Sequence, residues 1–404
     1  MASKLIISLV LGCALLGGYA SMYTSFRHGY FDALRACTAQ APPFRDEPCV
    51  LDMSDSITKS LTGVPAIDDP INMLFEFFSQ GLRKNPDVKG LDLEALLAFV
   101  YLATQFGGAW FIIALEGLRL GNKGTILSWT GTFGIVFQAV TITIIAPVYL
   151  TLQLLTSPST PKLESLLVDP YDLALLPFSA IVTYILPTIG LCLPLLNLGS
   201  GEVKHLAVAL WQPFPLYHSV VRGLSSFWHG NGDSATNKPA SQFNLTATRR
   251  ALSRANWVIT TLAISVHWAV LGTIIVSTNT DLISQVDGNH ILALTSLTEP
   301  PTLAMLNTPV SITDSREIVV SFLRWDVYCT CLSMLVWSAY QLHSTRGASG
   351  ILSTIVKSAF YILVGGPIFP ALMFIWERDE RVIKTLELER RKERNGKTRL
   401  KVRR

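Results

Sequence analysis

The stretch ALLAFVYLATQFGGAWFIIALEGL, residues 95–118, decides the fold. It runs for twenty-one residues before its first charge, Glu116. A helix rising ~1.5 Å per residue needs about 20 residues to cross ~30 Å of hydrocarbon, so this stretch reads as a membrane span. Seven more stretches read the same way, at 5–26, 126–155, 172–198, 203–228, 256–277, 318–342 and 351–376. The expected class is all-α, a polytopic transmembrane helical bundle of about eight spans.

Composition agrees. Of 404 residues, 50% are hydrophobic and 15% charged, and mean hydropathy is +0.39. Soluble domains carry roughly a quarter charged residues. A soluble enzyme, a secreted disulfide scaffold and a disordered tail are therefore poor readings. The chain divides into an N-terminal anchor at 1–26, a polar loop at 27–92, the bundle at 93–376 and a tail at 377–404. The anchor is read as retained, with cleavage near Ala20 as the alternative.

The tail holds twelve Lys and Arg against six Asp and Glu, a net +6 on a chain whose total is +4. Such a segment after the last span faces the cytoplasm and sits on anionic membrane lipid. It lacks the interleaved aromatics of a nucleic-acid binder, so no nucleic-acid partner is expected. Eight spans then put both termini in the cytoplasm. Two loops disagree: strict alternation makes 228–254 lumenal although it holds Lys238, Arg249, Arg250 and Arg254, and makes the acidic 278–317 cytoplasmic. The first of these also holds the sequon Asn244-Leu245-Thr246.

Within the polar loop, Asp69 to Phe78 carries apolar residues on most of one helical side, as an interfacial helix does with its aromatic side toward lipid. Cys37 and Cys49 can bridge if that loop is lumenal. Cys329 and Cys331 read as packing. Trp211-Gln212-Pro213-Phe214-Pro215 marks the fifth span as kinked or re-entrant.

Ionisable groups kept within spans cost about 2.5–3.5 kcal/mol on insertion scales and generally face a protein interior or a wet cavity. Glu116 ends the second span, with Gln105 almost three turns earlier on the same face; the plain alternative is a helix-end pair with Arg119. Asp326 opens the seventh span in Arg324-Trp325-Asp326 and lines up with Thr330, Ser333 and Trp337. Its plain alternative is an N-terminal Asp paired with Arg324. Eight spans would place Glu116, Asp326 and Glu377 at one cytoplasmic cavity mouth. His267 and Gln138 read as interhelical hydrogen-bonding groups. No DDxxD, NDxxD or DxDD cluster is present, nor a P-loop, GxSxG, HExxH or Cys/His spacing. No metal and no cofactor is expected.

The run Leu115-Glu116-Gly117-Leu118-Arg119-Leu120-Gly121-Asn122, the segment Ala146-Pro147-Val148-Tyr149-Leu150, the segment Trp211 to Pro215 and Arg324-Trp325-Asp326 resemble a fungal family. It is the integral-membrane terpene cyclases of the ascofuranone and macrophorin type, which act late in meroterpenoid pathways; the resemblance runs from about Asp69 to Trp376. It implies cyclisation of a prenyl chain, often farnesyl, on a phenol or quinol-like head, started by protonating a terminal epoxide or olefin, in a multi-pass protein of the endoplasmic reticulum.

A carboxyl desolvated between helices favours its neutral form and can act as a general acid. Asp326 is the preferred acid and Glu116 its partner, with the reverse assignment open. Gln105, Arg119, Trp110, Trp211, Arg324 and Trp337 are the expected substrate-binding residues, since ring faces attract cations. A transporter or channel using the two carboxylates, and a scaffold acting through its tail, are the alternatives. Because the acidic clusters that bind magnesium diphosphate are missing, cyclisation should continue at full rate in EDTA. A loss restored by magnesium would instead indicate prenyl diphosphate chemistry.

Overall fold

The computed structural model describes residues 4–39, 49–51, 62–83, 91–157, 162–196, 198, 201–228, 243–279, 298, 300–303, 306, 311–312, 314–345 and 350–402. Regular structure among them is entirely helical. Helix α1 (Lys4–Gly18) continues through a π turn (Tyr19–Tyr23) and Thr24–Arg27. Two short helices, α2 (Tyr30–Thr38) and α3 (Pro65–Gly81), precede the buried α4 (Leu93–Gly117). After it come α5 (Thr130–Val140), α6 (Ile142–Thr156) and α7 (Pro170–Ala180, prolonged by Ile181–Ile185 and Leu186–Cys192). The rest comprises α8 (Gly201–Trp211), α9 (Phe214–Trp228), α10 (Leu245–Asn279), α11 (Ser315–Ser344), α12 (Ile351–Gly365) and α13 (Phe369–Val402).

Among the described residues five helices are long and apolar enough to cross a membrane: α1, α4, α7, α10 and α11. The bent pair α12–α13 meets the same test of length and composition only when its two arms are taken together, which gives up to six. The helical-bundle class therefore stands, with five or six described helices of spanning length where about eight spans were expected. The difference arises first at 126–155. Eleven residues of α5 rise about 16 Å, half the hydrocarbon thickness. At Thr141 the chain turns back, with φ at 111°, the one non-glycine residue with positive φ among those described. The Thr141 N–H closes α5 on Phe137 O at 2.8 Å, and its hydroxyl accepts from Thr143 N at 3.1 Å to cap α6. Both outer ends of this pair lie at one level: a side chain on Gly117 would strike Thr130, and Tyr149 donates to Leu127 O at 3.0 Å. The expected third span is thus a hairpin that enters the bundle and returns.

A second hairpin closes the chain. The axes of α12 and α13 differ by 118° across Gly366, whose φ is 85°. Lys357 on the first arm meets Glu377 on the second at 3.2 Å. Gln105 of α4 accepts from Ile368 N at 3.0 Å and so ties the turn to the bundle's centre. The glycines of α4 admit close neighbours: a Cβ at Gly107 would strike the Tyr184 ring, and one at Gly108 would meet Ile368 at 2.9 Å. Small residues serve membrane helices this way, because packing rather than water expulsion holds them together.

With α5–α6 returning to its own side, α7, the broken pair α8–α9 and α10 connect α4 to α11: α8 packs on α3 at one end, and Arg222 of α9 lies 3.7 Å from Asp172 at the start of α7 at the other. Arg316, at the start of α11, pairs with Asp92 at 3.1 Å and Glu94 at 3.4 Å, at the start of α4. Strict alternation makes these two helices antiparallel; the structure makes them parallel. At their N-terminal end lie α2, α3 and the Cys37–Cys49 disulfide. At the other end Arg249 of α10 pairs with Glu380 of α13 at 2.8 Å, and Arg390 donates to Phe243 O at 2.8 Å. The basic start of α10 therefore lies with the basic tail, which removes the conflict among the loop charges; Lys238 itself falls outside the described residues. Asn244 of the sequon caps α10, its Oδ1 accepting from Ala247 N at 3.2 Å.

Helix α3 differs from its expected placement in lipid. Asp68 fastens its first turn by accepting from Thr62 N at 2.9 Å and Gly63 N at 3.0 Å. Its aromatic side meets protein: Phe77 packs 5.0 Å from Phe322, and Phe78 5.5 Å from Trp211. The path is open to direct measurement by thiol labelling. With a membrane-impermeant reagent, Arg250→Cys and Arg394→Cys should react from one face and Arg27→Cys only from the other. Labelling of Arg250→Cys together with Arg27→Cys would restore the eight-span alternation.

Candidate functional site

Between α3, α4, the α5–α6 turn and the first half of α11 lies a cavity of about 1530 Å³. Its rim carries charge, including Asp32, Arg35, Asp69, Glu94, Asp314 and Arg316. Its inner part is aromatic, with Phe106, Phe137 and Trp211. Phe106 lies 5.4 Å from Phe137 and 5.9 Å from Trp211, so the rings form one continuous wall.

Asp326 lines this inner part and is 5% exposed. Its Oδ1 accepts from the Thr141 hydroxyl and, at 2.8 Å, from Thr143 N. The carboxyl thus sits at the N-terminus of α6, where free N–H groups and the helix dipole favour a carboxyl. Its partners are these two uncharged donors, not Arg324, which lines the cavity separately. The polar stripe below Asp326 turns inward: Thr330 donates to Asp326 O at 2.7 Å and Ser333 to Thr330 O at 2.7 Å.

Of the expected catalytic and substrate-binding residues, Asp326, Arg324 and Trp211 line the cavity, as does Gln138, while Glu116, Gln105, Arg119, Trp110 and Trp337 do not. Glu116 belongs to a different place. Its Oε1 accepts from Arg119 Nε at 2.9 Å and Arg378 Nη2 at 2.7 Å, while Arg119 also holds Asp379 at 2.8 Å and Leu166 O at 2.5 Å. All four ionic side chains are at most 4% exposed. This cluster fastens α13 to the C-terminal end of α4, beside a smaller polar pocket of about 250 Å³ that also holds Gln153 and Gln341. Asp326 and Gln341 are fifteen residues apart on α11, or about 22 Å. Glu116 and Asp326 therefore do not share a cavity, because α4 and α11 run parallel and the two carboxyls lie toward opposite ends. Glu377 pairs with Lys357 and Arg381 instead. Gln105 serves the second hairpin, Trp110 packs behind Phe137 at 5.5 Å, and Trp337 donates to Gln153 Oε1 at 3.0 Å.

Comparison with known proteins bears on what such a site does. The family model described as the CtvD domain matches residues 7–383. Terpene cyclase ascI of Acremonium egyptiacum is 31% identical over 393 residues, covering 94% of this chain and 92% of that one. Terpene cyclase ctvD of Aspergillus terreus is 24% identical over 381 residues, covering 92% and 96%. Terpene cyclase atmA of Aspergillus flavus is 25% identical over 378 residues, covering 91% and 94%. No solved structure matches the chain.

Sequence reasoning missed Thr141, Thr143, Arg378 and Asp379. The threonines sit in an apolar run, Val140-Thr141-Ile142-Thr143-Ile144, that has no glycine or proline to announce a turn. Arg378 and Asp379 look like the start of the charged tail. Their role in the ion cluster sets an expected outcome. Removing one partner from a buried ion pair costs about 3–5 kcal/mol, so Arg378→Met should sharply lower the thermal midpoint in detergent. A variant as stable as the parent yet inactive would move the cluster from structure to chemistry.

Proposed function

This chain belongs to the CtvD-domain family, and on that premise we propose that it is a membrane-bound terpene cyclase whose acid is Asp326. Its substrate is a prenyl chain, farnesyl-like in length, carried on a phenol or quinol-like head. The observation that carries this reading is a buried carboxyl on the inner wall of an aromatic cavity, held through Oδ1 by uncharged donors. That arrangement leaves Oδ2 to carry a proton toward the cavity.

The proton adds to the oxygen of a terminal epoxide, whose bond to the tertiary carbon then breaks; with an olefin it adds to the terminal double bond. Either route leaves a tertiary cation. Each remaining double bond attacks in turn, its π pair forming a new carbon–carbon bond and passing the charge along the chain. Loss of a proton from the last cation balances the proton consumed, so the net change is an isomerisation. Phe106, Phe137 and Trp211 offer ring faces to the moving charge, each worth about 2 kcal/mol when desolvated. Gln138, one turn before Thr141, lines the same cavity with its Nε2 unpartnered, and donates to the epoxide oxygen. Burial of this inner wall keeps water from capturing the cation.

Glu116 leaves the acid–base assignment, since two arginines already occupy it. General acid catalysis is worth about 10²–10⁴-fold. Asp326→Asn should lose that much turnover of a farnesylated phenol epoxide in isolated membranes, while accumulating and melting like the parent. Turnover within a few-fold of the parent would place the acid elsewhere on the cavity wall, with Asp69 the next to test.

A further inference from the structure

The cavity has one charged end, and two independent features say which side of the membrane that end faces. The first is the Cys37–Cys49 disulfide. Cys37 ends the same short helix, α2, that supplies Asp32, Arg35 and Thr38 to the cavity rim. Disulfides persist in oxidising compartments and are rare in the cytosol. The second is the distribution of cations. Arg249, Arg250 and Arg254 at the start of α10 lie with the basic α13 at the far end of the bundle. Lys and Arg flanking membrane spans stay on the cytoplasmic side. Both features assign the rim to the lumen, the reverse of the cytoplasmic mouth expected from eight alternating spans.

Depth supplies the next step. Asp314 at the rim and Asp326 on the inner wall are twelve residues apart along α11, about 18 Å. That is more than half of a ~30 Å hydrocarbon layer. A molecule that places its reacting terminus against Asp326 therefore extends its other end toward Asp32, Arg35, Asp69 and Arg316. Polar groups belong at that end and hydrocarbon along the aromatic wall.

We propose that the cavity is loaded from the lumenal leaflet, with the substrate's polar aromatic head at the charged rim and its prenyl chain pointing inward to Asp326. The proposal rests on the cyclase reading. It also places a demand on the preceding chemistry: the reaction that installs or epoxidises the prenyl chain must deliver a product whose head reaches the lumenal leaflet.

Cysteine chemistry allows a direct test in the intact protein. Cys13, Cys192, Cys329 and Cys331 are buried and the other two are bridged, so an introduced thiol at the rim is the main target for a bulky, membrane-impermeant maleimide. Ala66 lines the rim and is exposed, and Ile71 lines it one turn further along α3. Ala66→Cys and Ile71→Cys should be made separately, in sealed microsomes with the cytoplasmic face outward. Labelling is read as a mass shift, and cyclisation of a farnesylated phenol epoxide is followed alongside it.

Labelling should occur only after mild permeabilisation, and cyclisation should then fall at least tenfold. The farnesylated phenol should slow labelling more than the same epoxidised chain lacking the ring. Labelling in intact vesicles would overturn the lumenal assignment. Full labelling with full activity would overturn loading through the rim, and equal protection by the ringless chain would overturn the head-outward orientation. Should unlabelled microsomes fail to cyclise the phenol at all, the cyclase reading falls, while the side of labelling still reports which way the rim faces.

Discussion

One buried carboxyl meeting one helix N-terminus organises this protein. Asp326 is buried, and its hydrogen bonds come from two uncharged donors, the Thr141 hydroxyl and the Thr143 N–H. To supply them the chain must stop α5 halfway through the bundle and turn at a strained threonine before starting α6. The hairpin in turn removes one crossing from the chain's path. Parallel placement of α4 and α11 follows, and with it a cavity between their N-terminal halves that opens at the disulfide end. Close approach of α1 completes the support: a side chain at Gly17 would strike the Thr143 hydroxyl.

The two ends of α4 do different things with charge. At its C-terminal end Glu116, Arg119, Arg378 and Asp379 neutralise one another in a water-poor interior and close the bundle. At its N-terminal end Asp92 and Glu94 hold Arg316 at the rim of an open space. Glu116 is held between the guanidinium groups of Arg119 and Arg378. Both carboxyls are bonded through one oxygen, but the partners are two cations at Glu116 and two neutral donors at Asp326. That contrast, more than proximity to any aromatic ring, separates Asp326 from Glu116.

Much of the fold was legible because hydrocarbon thickness imposes a length on apolar runs, and α1, α4, α7, α10 and α11 all meet it. The inward placement of Asp326 was legible too, since a lone carboxyl in an apolar span is costly. Less visible were features set by contacts remote in the chain. Arg378 lies 262 residues from Glu116 and reads as part of a solvated tail. Nothing in Val140-Thr141-Ile142-Thr143 marks a reversal, because the partner that stabilises it is an aspartate 185 residues away. The loop charges did hold the signal. Their disagreement with strict alternation agrees with the parallel placement of α4 and α11, which the α5–α6 hairpin allows.

The central claim is that the reacting end of the substrate lies against Asp326. Its most direct test is the structure of the protein bound to a farnesylated phenol whose terminal reacting carbon is replaced by an ammonium nitrogen, a stable stand-in for the first cation. The account requires that nitrogen within hydrogen-bond distance of Asp326 Oδ2, the chain along Phe106, Phe137 and Trp211, and the phenol at the rim. An ammonium seated instead at Glu116, or a phenol against Asp326 with the ammonium at the rim, would contradict it.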